Sequence, residues 1–162
     1  ARMSSLSDYD ALVANSVGAL VSAAKALGGD NVPLAAAVEK AFRAQREFLA
    51  QAVTMAQPSD LMAMLGPTSA AIGEAGDLAG KMRRGAFGQH AQAVEEGLAA
   101  LAWVTVSPTP VPHIHDTRDT MMFYCNKIMV QYKGTSPDHV TWAKALQALL
   151  GDLAAYVKQH RT

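Results

Sequence analysis

The chain predicts an all-α fold, an antiparallel six-helix bundle, and three observations carry that expectation. Half of the residues are apolar and 17% are charged, a balance that suits a packed core and excludes a disordered chain. Alanine, which has the best helix propensity and lets helix axes approach, is abundant, whereas the β-branched and aromatic runs that strands need are nearly absent. Apolar residues recur at three-and-four spacing between short Gly, Pro and Asn breaks. The 162 residues fit one domain, residues 1–162, long enough to bury a core without disulfides or a metal.

The first helix is expected to start near Ser7 or Asp8, whose side-chain oxygens suit a cap, and to run to Leu27 before Gly28-Gly29-Asp30-Asn31. Its buried stripe reads Leu6, Tyr9, Val13, Val17, Leu20, Ala24 and Leu27. Pro33 suits the first turn of the second helix, where a missing N–H costs nothing. Leu34, Val38, Phe42, Leu49, Ala52 and Met55 face inward there, with Phe48 on the flank, and the helix stops before Gln57-Pro58. Ser59 or Asp60 caps the third segment, in which Gly66-Pro67 predicts either a kink or a short helix followed by a longer one, ended by Arg83-Arg84-Gly85.

The fourth helix carries Phe87, Ala91, Val94, Leu98 and Leu101 and fades around Val104 to Val106. Three prolines in five positions then predict that Ser107 to Pro112 is a stiff, ordered, exposed loop. The fifth helix places Met121, Tyr124, Cys125, Ile128 and Tyr132 inside and ends at Gly134. The sixth opens with Ser136 as cap and Pro137 at the first helical position, and reaches about His160 on Val140, Ala143, Leu146, Leu150, Leu153 and Val157.

Fourteen basic side chains balance fourteen acidic ones, so no global field attracts nucleic acid or an anionic membrane. The longest apolar stretch, Gly97 to Val106, is too short to span a bilayer, and the N-terminus lacks a basic-then-apolar signal pattern. Cys125 is the one cysteine, which excludes an internal disulfide and places the chain in the cytoplasm.

Candidate chemistry is thin. His113, His115 and Asp116 are metal-ligand types, but two histidines two residues apart point away from each other on a helix, and further ligands are not evident. Cys125 falls on an inner helix face, where a thiol acts as a small hydrophobe. Carboxylates are sparse, and no glycine-rich phosphate loop follows a strand. These observations predict no catalytic residue, no metal and no cofactor. What stands out is the junction from Trp103 to Lys133, a pre-ordered proline segment joined to a helix bearing aromatic and polar groups, a mixture that interfaces use.

At that junction the residues Trp103-Val104-Thr105-Val106-Ser107-Pro108-Thr109-Pro110-Val111-Pro112-His113-Ile114, then Phe123-Tyr124-Cys125-Asn126-Lys127-Ile128 and Tyr132-Lys133-Gly134, carry a signature. In order and spacing it resembles the helical N-terminal domain of the adenylyl cyclase-associated protein family, and the likeness extends through Trp142 and Tyr156 and, more loosely, back over the first four helices. Val111 replaces the family's glycine and Lys127 its usual arginine, a planar bidentate donor.

The resemblance implies an actin-turnover domain that acts with cofilin at filament pointed ends to speed monomer removal. It places the domain with the cytoskeleton, connects it to adenylyl cyclase through the full-length protein, and leaves homodimerisation open. By match to the signature, Pro108, Thr109, Pro110, Pro112, His113, Arg118, Asn126, Lys127 and Lys133 are expected to form the partner-binding surface, with Trp103, Phe123, Tyr124 and Trp142 as packed support. The family's proline-rich region, its monomer-recharging β-domain and its preceding coiled coil have no counterpart in these residues, so nucleotide exchange on actin is expected to lie outside their reach. The competing expectations are a scaffold or adaptor domain in cyclase or signalling complexes and, more remotely, a hydrolase built around His113 and His115.

Overall fold

The computed structural model describes residues 2–52 and 61–160. Met55, the Gln57-Pro58 stop and the Ser59 or Asp60 cap lie outside them. The described residues are helical throughout, in six rods, with no strand among them. The first rod is α1 (Arg2–Leu12), a π turn (Val13–Val17) and α2 (Gly18–Leu27), followed by α3 (Asn31–Ala52). The third is a short α4 (Leu61–Met64) and a longer α5 (Gly66–Met82), the split that Gly66-Pro67 predicts, with Pro67 in the first turn of α5. Next come α6 (Gly88–Leu98), continued by a 3-10 segment (Ala99–Thr105), then α7 (Pro110–Tyr132) and α8 (Pro137–His160).

Packing closes the rods into a ring. α2 lies on α3, α3 on α5, α5 on α6, α6 on α7, α7 on α8, and α8 returns to α2. Between α6 and α7 the approach is close: a Cβ on Gly97 would stand 2.9 Å from Met121 Sδ, so any larger residue there must displace that buried side chain. Gly28 and Gly29 take φ of 73° and 56° and so make the reversal between α2 and α3, a backbone that side chains rarely adopt.

The expected stripes supply the core: Tyr9, Val17, Leu20, Leu34, Val38, Phe42, Leu49, Val94, Leu101, Cys125, Ile128, Leu146, Leu150 and Val157 are buried. Five details differ. The first helix begins at Arg2 and runs through Ser7 and Asp8 instead of starting there. Asp8 is engaged elsewhere, its Oδ2 2.9 Å from His160 Nε2. Phe48 is buried, not on the flank. Leu6, Leu27, Ala52, Phe87, Tyr124, Tyr132 and Val140, expected inside, are half-buried. The stretch Ser5–Leu27 is long and apolar enough, by length and composition, to cross a membrane. Here its inward face is core, buried against α3 and α8.

One buried polar side chain organises the centre of the bundle. Gln45 is fully buried, and its Oε1 accepts from Trp103 Nε1–H at 2.9 Å while its Nε2 donates to the carbonyl of Leu101 at 2.7 Å. The Tyr9 hydroxyl lies 3.2 Å from the same Oε1 and 3.0 Å from the Phe42 carbonyl, so one proton serves two acceptors. Burial, and next the neighbouring Tyr156, holds the Tyr9 phenol well above its ordinary range, so it remains a donor. The amide thereby ties α1, α3 and the 3-10 segment with no buried polar atom of its own left over.

Candidate protein-interaction surface

The junction is built outward from Trp103. The 3-10 segment turns this indole into the core onto Gln45, and the chain leaves as Val106, Ser107, Pro108 and Thr109. The Ser107–Pro108 peptide is cis, and Pro108 and Thr109 are exposed. The expected loop over Ser107 to Pro112 is shorter than predicted, because α7 begins at Pro110. The reason is positional: Pro110 and Pro112 occupy the first turn, whose N–H groups have no intrahelical acceptor, so the prolines forfeit nothing and their fixed φ suits the helix. Pro110 is buried, Pro112 exposed.

His113 is half-buried, and its Nε2 lies 3.0 Å from the carbonyl of Ala99, which fastens the first turn of α7 back onto the 3-10 segment. His115 and Asp116 are exposed. Among the described residues no group of three His, Cys, Asp or Glu side chains is placed to hold a metal ion. Cys125 is fully buried, and burial pushes its thiol up to about 12, which removes its nucleophilic form near neutral pH.

Further along α7 the expected residues separate. Arg118 is half-buried and its Nε donates to the carbonyl of Gln147 at 3.1 Å, so it ties α7 to α8. Asn126, Lys127 and Lys133 are exposed. A helix rises about 1.5 Å per residue, so the proline turn and Lys133 stand roughly 30 Å apart at opposite ends of α7. The accessible residues among the nine therefore fall into two patches; Pro110 is buried, and Arg118, about 180° around the axis from Lys127, belongs to neither.

Of the expected support, Trp103 and Trp142 are buried. Phe123 is not: it is 56% exposed, with its ring edge against Tyr124. The Lys127 ammonium stands over the Phe123 ring, 4.2 Å from its centroid, and 5.8 Å from that of Tyr124. Val130, 79% exposed, continues the same face. Sequence reasoning passed over Val130, although Phe123 and Val130 stand seven residues apart and outside the Met121, Cys125, Ile128 stripe, which is the signal for a second, outward apolar ridge.

Where α7 meets α6 and α8, five rings cluster: Phe87, His90, Tyr132, His139 and Trp142. Tyr132 and His139 stack with centroids 3.6 Å apart and planes 5° from parallel. His90 Nε2 lies 2.9 Å from His139 Nδ1. Neither His90 Nδ1 nor Trp142 Nε1, both buried, has a hydrogen-bond partner. Burial, and next the neighbouring His139, lowers the His90 pKa to about 4, and burial also lowers that of His139 against the opposing charge of Asp138. Both imidazoles are neutral near pH 7.

The sequence model of the family described as "CAP, N-terminal domain" matches residues 9–162. The chain belongs to this family. Human adenylyl cyclase-associated protein 2 is 34% identical over 160 residues, covering 98% of this chain and 34% of that protein. Adenylyl cyclase-associated protein 1 from Macaca fascicularis is 33% identical over 156 residues, covering 95% and 33%. This CAP N-terminal domain thus spans about a third of the length of the curated relatives it matches. Among solved structures, a CAP N-terminal domain whose crystals indicate variable oligomerisation superposes with a TM-score of 0.92 at 28% identity, covering 98% of this chain and 87% of that one. The CAP N-terminal domain from Dictyostelium discoideum gives 0.88 at 27%, covering 97% and 90%.

Proposed function

We propose that this CAP N-terminal domain is an actin-turnover module that acts with cofilin at filament pointed ends, in the cytoplasm, and performs no covalent step. The observation that carries the reading is the coincidence of the family signature with accessible side chains: Asn126 and Lys127 lie within it and are both exposed on α7. A rigid bundle that binds a cofilin-bearing terminal subunit more tightly as it departs lowers the barrier to its release by differential affinity alone. Self-association belongs to this reading, in keeping with the variable oligomerisation of the solved relative.

The experiment is filament shrinkage watched from marked ends, with and without cofilin. The parent domain is expected to accelerate pointed-end loss only with cofilin, and Asn126→Ala with Lys127→Ala to reduce that acceleration about tenfold or more, the usual consequence of losing a central polar pair. Unchanged acceleration by the folded double variant would move the actin site elsewhere, with the Arg83 and Arg84 surface next to be tried. The second reading, an adaptor in cyclase complexes, draws on the relatives' name. Cosedimentation with cofilin-decorated filaments separates the two, since an adaptor of that kind stays in the supernatant.

A further inference from the structure

Three large apolar side chains are exposed among the described residues, Val32, Phe123 and Val130, and two of the three share one face of α7. Seven residues is about two helical turns, so Phe123 and Val130 stand roughly 10 Å apart along the axis and within about 20° of each other around it. Between them, one turn from each, sits Lys127.

Among the described residues no carboxylate answers the charge of Lys127. Lys40 sits on Glu74, Arg43 on Glu39, Arg46 on Asp10 and Arg83 on Glu95. Lys127 has aromatic faces beneath its ammonium and no carboxylate within ion-pair distance among the described residues. An ammonium held over rings keeps its outward side free for an anion. Phe123, Asn126, Lys127, Val130 and Gln131 line a shallow hollow of about 420 Å³ with no acidic residue in its wall. It adjoins a polar trough of about 540 Å³ through the shared Lys127 and Gln131.

These features restrict what fits. The backbone on this face is helical and satisfied internally, so an extended segment gains no main-chain ladder from it and must bind through side chains. A single cation in the hollow is too little for a phosphate backbone, whose binding scales with the number of cations engaged. A helix laid along α7 presents apolar residues at i and i+7 at the spacing of Phe123 and Val130, with the intervening i+3 or i+4 residue over Lys127.

We infer that the Phe123–Lys127–Val130 ridge receives an amphipathic acidic helix of a partner protein, with two apolar side chains against Phe123 and Val130 and a carboxylate on the Lys127 ammonium. This deepens the actin-turnover reading and rests on it for the partner's identity, though not for its chemistry.

The test has two arms. The first titrates the isotope-labelled domain with a helix-stabilised synthetic peptide carrying leucines at i and i+7 and glutamates at i+3 and i+4, and with its lysine-for-glutamate counterpart. The acidic peptide is expected to shift the amides around Phe123, Lys127 and Val130, and the basic one not to bind. Phe123→Ser with Val130→Ser should weaken binding tenfold or more, and Lys127→Gln should flatten its salt dependence. Val130→Glu, at a site too exposed to disturb the fold, should weaken it by like-charge repulsion. The second arm repeats the variants on cofilin-decorated actin filaments.

Loss in both arms supports the inference. If the parent binds filaments and the Phe123 and Val130 variants bind them equally well, it is overturned, whatever the peptide does. If the parent ignores filaments while the acidic peptide docks on the ridge, the inference stands and the actin reading fails. If neither binds, or the basic peptide binds as well as the acidic one, the inference fails.

Discussion

Two polar clusters tie this bundle together, one joining α1, α3 and the 3-10 segment and the other joining α6 to α8, and they are finished to different degrees. Around Gln45 the amide oxygen and nitrogen, the Trp103 indole and the Tyr9 hydroxyl all have partners. Around His90 one imidazole bond joins α6 to α8, while His90 Nδ1 and Trp142 Nε1 face the core with none. A satisfied network of groups that do not titrate near neutrality holds at any ordinary pH. The His90 imidazole, buried among rings, stabilises the fold only while it is neutral, because protonation would put a charge there with no carboxylate bonded to it. What differs is whether a proton can make the cluster unfavourable.

The largest expected effect comes from breaking the finished cluster. Gln45→Ala removes the acceptor of Trp103 and the donor to Leu101, leaving a buried indole N–H unpaired, while Tyr9 keeps the Phe42 carbonyl. It should cost about 3–5 kcal/mol, read as a lower urea midpoint at unchanged slope. A loss below about 1 kcal/mol would mean that water or a neighbour replaces the amide.

Acid should undo the unfinished cluster. The folded-state pKa of His90 is lowered to about 4, below the ordinary 6.5, so the unfolded chain takes up the proton first. Stability from this group is fully present above about pH 6.5 and is lost as the pH falls towards 4, amounting to about 3 kcal/mol at the bottom of that window. His139, also lowered, acts in the same direction. Urea midpoints between pH 7 and pH 4, for the parent and for His90→Phe, isolate this contribution: the variant should show the shallower acid dependence. Parallel curves would assign acid sensitivity to the carboxylates instead.

A smaller contrast sharpens the same point. Trp103→Phe and Trp142→Phe each remove an indole N–H, but that of Trp103 is bonded and that of Trp142 is not. Since both rings are buried, the packing losses are similar, and Trp103→Phe should be the more destabilising by about 1 kcal/mol. Equal losses, or the reverse order, would show a hidden partner on Trp142. At the outer surface, Asn126→Ala with Lys127→Ala should shift stability by about 0.5 kcal/mol or less and leave far-ultraviolet circular dichroism unchanged.

The six rods and most core positions were legible because they depend on local periodicity, which places Val38, Phe42 and Leu49 on one face whatever they touch. Both polar clusters were illegible for the converse reason. Gln45 meets partners 36, 56 and 58 residues away, and His90 meets His139 across 49. Nothing in a sequence window marks such encounters. The start of the fifth helix failed where a local rule had two outcomes: the prolines after Pro108 suit a loop or a first turn, and Pro110, buried, stands in the turn. The expectation that Phe123 packs inside rests on the usual burial of aromatic residues, although its phase, two residues from both Met121 and Cys125, already points outward.

The π turn at Val13–Val17 gives the first rod a spare residue. An α-helix turns about 100° per residue, and one wide turn takes up an extra residue without passing that rotation on to α2. Deleting one residue inside those five should therefore leave an unbroken α-helix whose two halves keep their faces towards α3 and α8. The same deletion a turn earlier or later has no such slack, and would swing the far half by about 100° and carry Leu20 from the core into water. Tolerance of a frame-preserving deletion should thus be confined to one short window, and a deletion scan along residues 5–27, read by folded yield, would show a single permitted position range.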